Sequence, residues 1–289
     1  MLPGLLLVPL VVAEPRPFYM NDLSASSTAG AEVMWGHMDA QLVFIGDRDI
    51  DAFMVHAVGD FAVTPEVKLS LRFPFTYVSC DCFGNNLFDL DDDQFALGNL
   101  TVGGRYVHRV GDVAIGAGAS YSGLTASDDT ADEGRAAILT GLWALFRDAG
   151  WYLPNTHTLR FTGDARVALG RAYLQGQLAV HELIVEDDDD FTTGENYTLM
   201  RLVAGGGFKV TEAAALQAEL VTTSLILDDD DDDNLLFDDD EWFHVLDLGA
   251  RYETAGASFG VRLSIPLDYG GSDFIDDPIG IGVDALARF

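Results

Sequence analysis

The chain closes on Ile279-Gly-Ile-Gly-Val-Asp-Ala-Leu-Ala-Arg-Phe289. In an extended backbone successive side chains point to opposite faces. Ile279, Ile281, Val283, Ala285, Ala287 and Phe289 therefore share one face, and Gly280, Gly282, Asp284, Leu286 and Arg288 share the other. That spacing predicts a terminal strand with one apolar side and one mostly small or polar side. The same period recurs upstream. In 242–268, Leu246, Leu248, Ala250, Tyr252, Phe259, Val261, Leu263, Ile265 and Leu267 oppose Asp247, Gly249, Arg251, Ser258, Gly260, Arg262 and Ser264. In 66–78, Val67, Leu69, Leu71, Phe73, Phe75 and Tyr77 oppose Lys68, Ser70, Arg72, Pro74 and Thr76. In 157–169, Leu159, Phe161, Ala165 and Val167 oppose Arg160, Thr162, Asp164 and Arg166.

Composition narrows the setting. The 289 residues carry 16 Lys plus Arg against 47 Asp plus Glu, a formal charge of −31. A chain this acidic lacks the basic footprint that nucleic-acid binding needs. Its hydrophobic content of 48% and mean hydropathy of +0.15 are too high for an acidic disordered chain. The two facts are compatible because the acid is segregated into short blocks between alternating segments. No run of 18 or more apolar residues offers a membrane-crossing helix. Residues 1–13 read as a signal-peptide core, with Val11 and Ala13 at −3 and −1 of a cleavage site before Glu14, although no basic residue precedes it. Residues 14–35 read as a lead-in and 36–289 as the main domain. Cys80 and Cys82 stand two apart. A disulfide across that spacing is strained, and no histidine lies nearby to complete a metal site.

Twelve strands are expected, at about 36–46, 52–63, 66–78, 96–108, 112–124, 157–169, 171–185, 197–209, 212–226, 242–253, 255–268 and 279–289. Their connections alternate between tight turns (Thr64-Pro65, Arg109-Val110-Gly111, Gly170, Thr211, Thr254) and longer loops that hold the aspartates. Residues 135–147 are apolar but place Ile138, Leu139, Leu142, Trp143, Leu145 and Phe146 at helical spacing, so a short amphipathic helix inside the second long loop is expected.

A final amphipathic strand ending on phenylalanine resembles the closing strand of Gram-negative outer-membrane β-barrels, in which the terminal aromatic strand is read by the assembly machinery. The hairpin Ala96-Leu-Gly-Asn-Leu-Thr-Val-Gly-Gly-Arg-Tyr-Val-His108 with Asp112–Tyr121 resembles one found in transporter-like barrels of the phenol-degradation (meta-pathway) family. Gly98, Asn99, Leu100, Val102, Gly103, Arg105 and Tyr106 carry the likeness; Asn99 stands where that family usually has Asp, and Ala96 where it has Gly. The match spans about thirty residues. It implies the barrel class; together with the twelve expected strands and their alternating short and long connections, the expected fold is all-β, a closed antiparallel up-and-down transmembrane β-barrel of 12 strands with short periplasmic turns, longer outer loops and an even strand number. It also places the chain in the outer membrane, among lipid and lipopolysaccharide, with Phe289 presented to the assembly machinery.

Three features of the sequence fit that reading. Twelve strands enclose a lumen too wide for short side chains to fill. Phe61, Tyr106, Phe208, Tyr252 and Phe289 fall near the turn end of five of the six descending strands, as an aromatic girdle requires, with Leu169 as the exception. Most basic residues share the inward parity: Lys68, Arg72, Arg105, Arg160, Arg166, Arg201, Lys209, Arg251, Arg262 and Arg288, facing Asp39, Asp60, Asp164, Glu219, Asp247, Asp268 and Asp284. An Arg or Lys facing hydrocarbon at mid-membrane costs about 2–4 kcal/mol, so such a set belongs in a wet or self-paired lumen. The candidate lumen-lining, selectivity-setting residues are thus Lys68, Arg72, Arg105, Arg160, Arg166, Arg201, Arg251, Arg262, Asp164 and Asp247.

The expected function is a passive pore or facilitated-diffusion channel for small solutes, with anionic ones favoured by the inward Arg/Lys set. The alternative is a non-conducting barrel whose acidic outer loops bind cations or partners. Asp187, Asp188, Asp228, Asp229 and Asp230 are weak metal candidates: an unspaced aspartate run reads first as a solvated, self-repelling loop, while diffuse Ca²⁺ or Mg²⁺ bridging to lipopolysaccharide phosphates stays open. No cofactor is expected. His56 and His181 have inward parity but no nucleophile motif nearby, so no catalytic residue is assigned and an enzyme is not expected. Gly205-Gly206-Gly207 lies mid-strand with no helix after it, which favours a strand irregularity over a phosphate loop.

Overall fold

The computed structural model describes residues 15–42, 46–80, 94–123, 125–126, 140, 151–185, 196–226, 242–269 and 275–289. Its elements are β1 (Thr28–Leu42), β2 (Gly46–Ala62), β3 (Val67–Cys80), β4 (Gln94–Leu97), β5 (Leu100–Val110), β6 (Val113–Gly123), β7 (Thr156–Leu169), β8 (Ala172–Val185), β9 (Asn196–Lys209), β10 (Ala214–Ile226), β11 (Trp242–Glu253), β12 (Ala257–Tyr269) and β13 (Ile275–Arg288). Apart from β4 and β5, each pairs antiparallel with its chain neighbour, and β1 pairs with both β2 and β13, which closes the sheet. The short β4 and β5 are two halves of one wall strand. Both pair with β3, β5 through Val67–Arg72 and β4 through Phe75–Val78. The break at Gly98-Asn99 falls opposite Pro74, which has no N–H for a ladder; the Gly98 N–H instead donates to the Pro74 carbonyl at 3.0 Å. The result is a closed antiparallel barrel of twelve strands.

The first strand starts at Thr28, eight residues before the expected 36. Residues 28–35, Thr-Ala-Gly-Ala-Glu-Val-Met-Trp, are small or charged enough to hide the period. Their pairing with Phe53–Asp60 and Ile281–Arg288 nevertheless fixes them in the wall. Two tight turns use glycine where the backbone requires a positive φ: Gly111 at 59° and Gly170 at 66°, each the first residue of a two-residue loop. The helix expected over 135–147 lies outside the described residues apart from Thr140, whose hydroxyl sits 2.9 Å from that of Thr76 on the inner wall. Cys82 also lies outside them.

Alternation decides the two faces. Leu69, Leu71, Phe161, Leu178, Leu202, Leu248, Phe259, Val261, Ile281 and Val283 stand exposed on the outer surface, whereas Lys68, Arg166, Asp164, Arg201, Asp247, Arg251 and Arg262 are buried on the inner one. Phe61, Tyr106, Phe208, Tyr252 and Phe289 all point outward at the turn end, together with Leu169. The Phe61 and Phe289 rings approach to 6.3 Å across the β1 closure. An outer surface that is apolar around its girth would be insoluble in water and is matched to hydrocarbon. An arginine introduced on this belt tests the assignment. Phe161→Arg is expected to lower the unfolding free energy in phospholipid vesicles by about 2–4 kcal/mol. The same change at an inner position such as Thr162 should cost less, and equal costs would contradict the sidedness.

Candidate functional site

Twelve strands spaced about 4.8 Å apart and tilted about 40° make a cylinder roughly 24 Å across at the backbone. Inward side chains alone leave such a cylinder hollow. The chain fills it with its own N-terminal segment, residues 15–27, which runs through the lumen before β1. Arg16, Phe18, Tyr19, Met20, Asp22 and Leu23 are all buried there. The Glu219 carboxylate takes the backbone N–H of Phe18 at 2.6 Å and of Tyr19 at 2.8 Å. Glu253 takes the Arg16 N–H at 3.1 Å, and Gln217 and Gln175 donate to the Arg16 and Asn21 carbonyls, each at 2.9 Å. Lys68 bonds Asp22 at 3.0 Å, and Asn21 donates to Asp164 at 2.8 Å. Arg109, at a turn, donates to the Leu23 carbonyl. Buried backbone polar groups need partners, and here inward side chains of six wall strands supply them.

The walls also leave room for this segment. A Cβ on Gly249 would sit 2.5 Å from the Phe18 ring, one on Gly116 would sit 2.9 Å from Leu23, and one on Gly205 would sit 2.7 Å from Glu219. Gly205 is thus the seat of the carboxylate that holds the segment. Phe18, Tyr19 and Met20 form an apolar cluster with inward Val203, Val221 and Val245. Arg251 and Arg262 stack on the Phe18 ring at 4.9 and 5.7 Å. Burial disfavours the Asp22 carboxylate, but Lys68, then Arg16 and Arg105, outweigh it and hold its pKa well below the ordinary range. Burial likewise disfavours the Arg16 cation, and Asp60, Glu32 and Asp22 reverse that to hold its pKa above the usual arginine value. A carboxyl lowered on docking favours the docked state above its free pKa and loses that favour only as pH falls through the docked value. Asp22 therefore holds the segment throughout the neutral and mildly acid range.

All ten expected lumen residues face inward, and they fall into groups. Arg251 grips Asp284 with two bonds of 2.7 and 2.9 Å and Ser258 with another of 2.9 Å. Asp247 accepts from Ser264 at 2.5 Å. Arg166 lies over the Tyr173 ring at 3.9 Å and donates to the Pro15 carbonyl. Asp164 accepts from Gln177 at 2.7 Å, and Arg160 donates to the same amide's oxygen at 3.2 Å. Arg105 pairs with Asp60 at 2.5 Å, and Arg72 lies 3.5 Å from Glu32 with its guanidinium 4.6 Å from the Trp151 ring centre. His56 sits 2.8 Å from the Tyr152 hydroxyl, and both are buried. Beside the segment, Arg72, Arg105, Arg160 and Arg201 border a cavity of about 80 Å³, together with Ser70, Ser120 and Thr162.

Two features escaped the sequence reading. One is the segment itself, whose Pro15-Arg-Pro-Phe-Tyr-Met-Asn-Asp-Leu23 has no period to detect. The other is a set of inward apolar residues: Met34, Met54, Val203, Val221, Val245, Leu183 and Leu199. These break the polar parity of their strands, and that break is the signal that something apolar sits inside. Among the described residues no cluster of histidine, cysteine or carboxylate is placed to hold a metal. Asp187, Asp188, Asp228, Asp229 and Asp230 lie outside the described residues.

A closed twelve-stranded cylinder with a lipid-matched outer belt, an aromatic girdle and a charged interior is a Gram-negative outer-membrane β-barrel. Solved structures share the fold. The COG4313 outer membrane channel from Pseudomonas putida F1 is similar at a TM-score of 0.64 and 13% identity, over 96% of this chain and 100% of that one. The NanC porin is similar at 0.50 and 8% identity, over 88% and 98%. The translocator domain of the autotransporter NalP from Neisseria meningitidis is similar at 0.52 and 11% identity, over 93% and 90%. Comparison with protein-family profiles and with curated proteins gives no match. The expectation that the chain is not an enzyme is corrected by this range of neighbours. A channel, a porin and an autotransporter translocator domain share this fold, so the fold gives no ground for that exclusion.

Proposed function

We propose that this barrel is a passive diffusion channel for small solutes, narrowed at mid-lumen by residues 15–27 and favouring anions. The observation that carries this reading is the cavity of about 80 Å³ beside the segment, bordered by Arg72, Arg105, Arg160 and Arg201. Fixed positive charge at a constriction with low-dielectric walls raises the local concentration of anions and lowers that of cations. The likeness of the Gly98–Tyr106 hairpin to phenol-degradation barrels supports a transporter-like role, as do the channel and porin among the solved neighbours. The exposure of Phe289 at the turn end supports its recognition by the assembly machinery, and the acidic loops are candidates for cation-bridged contact with lipopolysaccharide.

Planar-bilayer recording across a KCl gradient tests it. The expected reversal potential lies toward that of chloride, and Arg160→Glu with Arg201→Glu is expected to move it toward that of potassium. A barrel that stays silent would leave the second reading, a non-conducting barrel. The observation favouring that reading is the number of hydrogen bonds that fix the segment across the lumen.

A further inference from the structure

We infer that residues 151–155, just before β7, are a strap across the outer half of the lumen: a second barrier, in series with the N-terminal segment and latched in place by Asn99. The inference rests on the channel reading only for what the barrier acts on. A connection at the outer ends of two wall strands ordinarily runs over the surface, but this one turns inward. Trp151 and Tyr152 are both buried. The Tyr152 hydroxyl donates to the Phe75 carbonyl of β3 at 3.3 Å and lies 2.8 Å from His56 Nε2 of β2. The His56 ring meets Trp151 edge-on at 4.8 Å, and Arg72 lies over the Trp151 face. One residue on, Leu153 packs against Leu183 of β8 and Leu199 of β9. In the ring of twelve strands β9 stands opposite β2. Tyr152 and Leu153, adjacent in sequence, therefore reach opposite walls, which a chain does only by crossing the lumen. Trp151 and the segment's Phe18, Tyr19 and Asn21 border the same cavity of about 80 Å³. A solute entering from outside meets the strap first and the segment second.

What holds the strap is the break in the wall between β4 and β5. There the Asn99 N–H donates to the Trp151 carbonyl at 2.5 Å, and the Asn99 side-chain amide donates to the Leu153 carbonyl at 2.8 Å and the Thr156 carbonyl at 3.2 Å. Its side-chain oxygen accepts the Ala126 N–H at 3.1 Å. One residue thus serves backbone groups at both described ends of the same connection, where buried carbonyls need a donor. Gly98 clears the approach: a Cβ there would fall 2.4 Å from the Trp151 carbonyl oxygen and 2.6 Å from the Pro74 ring. At the other end Asn155 takes a φ of 50°, a left-handed conformation that asparagine tolerates better than most residues, and this turns the chain from the strap into β7. The Thr156 hydroxyl donates to the Pro154 carbonyl at 3.0 Å. In the hairpin that this part of the chain resembles, Asp usually stands at the position of Asn99. A carboxylate has no proton to donate and would set oxygen against the Leu153 and Thr156 carbonyls, so the amide is what makes the latch.

Two readouts test the strap. With Trp35→Phe, Trp143→Phe and Trp242→Phe, Trp151 becomes the sole tryptophan, and acrylamide quenching in detergent micelles reports its cover directly. Quenching is expected to be weak in this parent and to rise several-fold in Asn99→Asp and in Gly98→Ala. Planar-bilayer recording of the same proteins should show added brief openings of larger current. In the chain lacking residues 15–26, Asn99→Asp should raise conductance further, because barriers in series add. Heat-modifiable gel migration checks that each variant is folded. Where a change at Gly98 or Asn99 prevents folding, Tyr152→Phe takes its place: it loses the bonds to Phe75 and His56, leaves the wall untouched, and should raise quenching by less. Strong quenching of Trp151 in the parent, or quenching and current both unchanged by Asn99→Asp and Tyr152→Phe, overturns the strap. A barrel silent in every form in which Asn99→Asp nevertheless uncovers Trp151 keeps the strap and removes the channel. Current in every form with Trp151 equally covered does the reverse.

Discussion

Deleting residues 15–26 is expected to raise single-channel conductance several-fold without unfolding the barrel. The wall is complete without the segment: every strand except the short β4 pairs on both sides through its own backbone, and β1 closes the sheet on β13. The segment's contacts are to inward side chains, Glu219, Glu253, Gln217, Gln175, Asp164, Lys68 and Arg166, and these regain water when it leaves. What remains is a cylinder roughly 24 Å across at the backbone, lined by side chains too short to meet at its axis. The deletion is read in two ways: conductance in a planar bilayer, and swelling of liposomes in solutes of rising mass. The thermal transition should fall, because the Phe18–Tyr19–Met20 cluster leaves Val203, Val221 and Val245 facing water. Glu219→Gln is the milder version. It keeps one acceptor for the two N–H donors of Phe18 and Tyr19, so openings should become intermittent rather than permanent. Unchanged conductance after the deletion would mean that the narrowing is set by the wall.

Much of this architecture is legible in the sequence because β-structure has the shortest possible period. Leu159-Arg160-Phe161-Thr162 can be sorted into outside and inside by eye, and the sorting holds in the fold. Failures occur where another demand overrides the period. In β1, Glu32 and Met34 both face inward, one to meet Arg16 and the other to lie beneath Arg262, so neither polarity nor greasiness marks the face. In β9, the run Leu202-Val203-Ala204 looks uniformly apolar because Val203 packs against the segment. A residue that faces a plug obeys the rules of a protein core, not those of a pore. The segment itself is held in large part through its backbone, and those bonds leave no signature in side-chain identity. The ten residues named from parity lie on the inner wall, but their partners depend on strands far apart in sequence. Arg166 reaching Pro15 and Glu219 reaching Phe18 are examples.

Arg251→Met is expected to destabilise the barrel by about 3–5 kcal/mol, the usual consequence of removing one partner from a buried ion pair. Arg251 spans from β11 over β12 to β13. It bonds Asp284 through both terminal nitrogens and Ser258 through one of them, and both partners in the ion pair are buried. The strand between them is cleared to allow it: a Cβ on Gly260 would fall 2.2 Å from the Asp284 carboxylate and 2.9 Å from the Arg251 guanidinium. In the single variant Asp284 keeps its charge and loses its fork of donors. In Arg251→Met/Asp284→Leu no charge is stranded, and most of the loss should be recovered, because an apolar pair of similar volume replaces an ion pair at little net cost. Urea unfolding in phospholipid vesicles, followed by tryptophan fluorescence, compares the four members of the cycle. The double variant also takes the cation from the face of Phe18, so it should conduct with more frequent openings than the parent even at restored stability. A double variant as unstable as the single one would show that Arg251 acts through packing on Phe18 and Ser258, and that the bond to Asp284 is incidental.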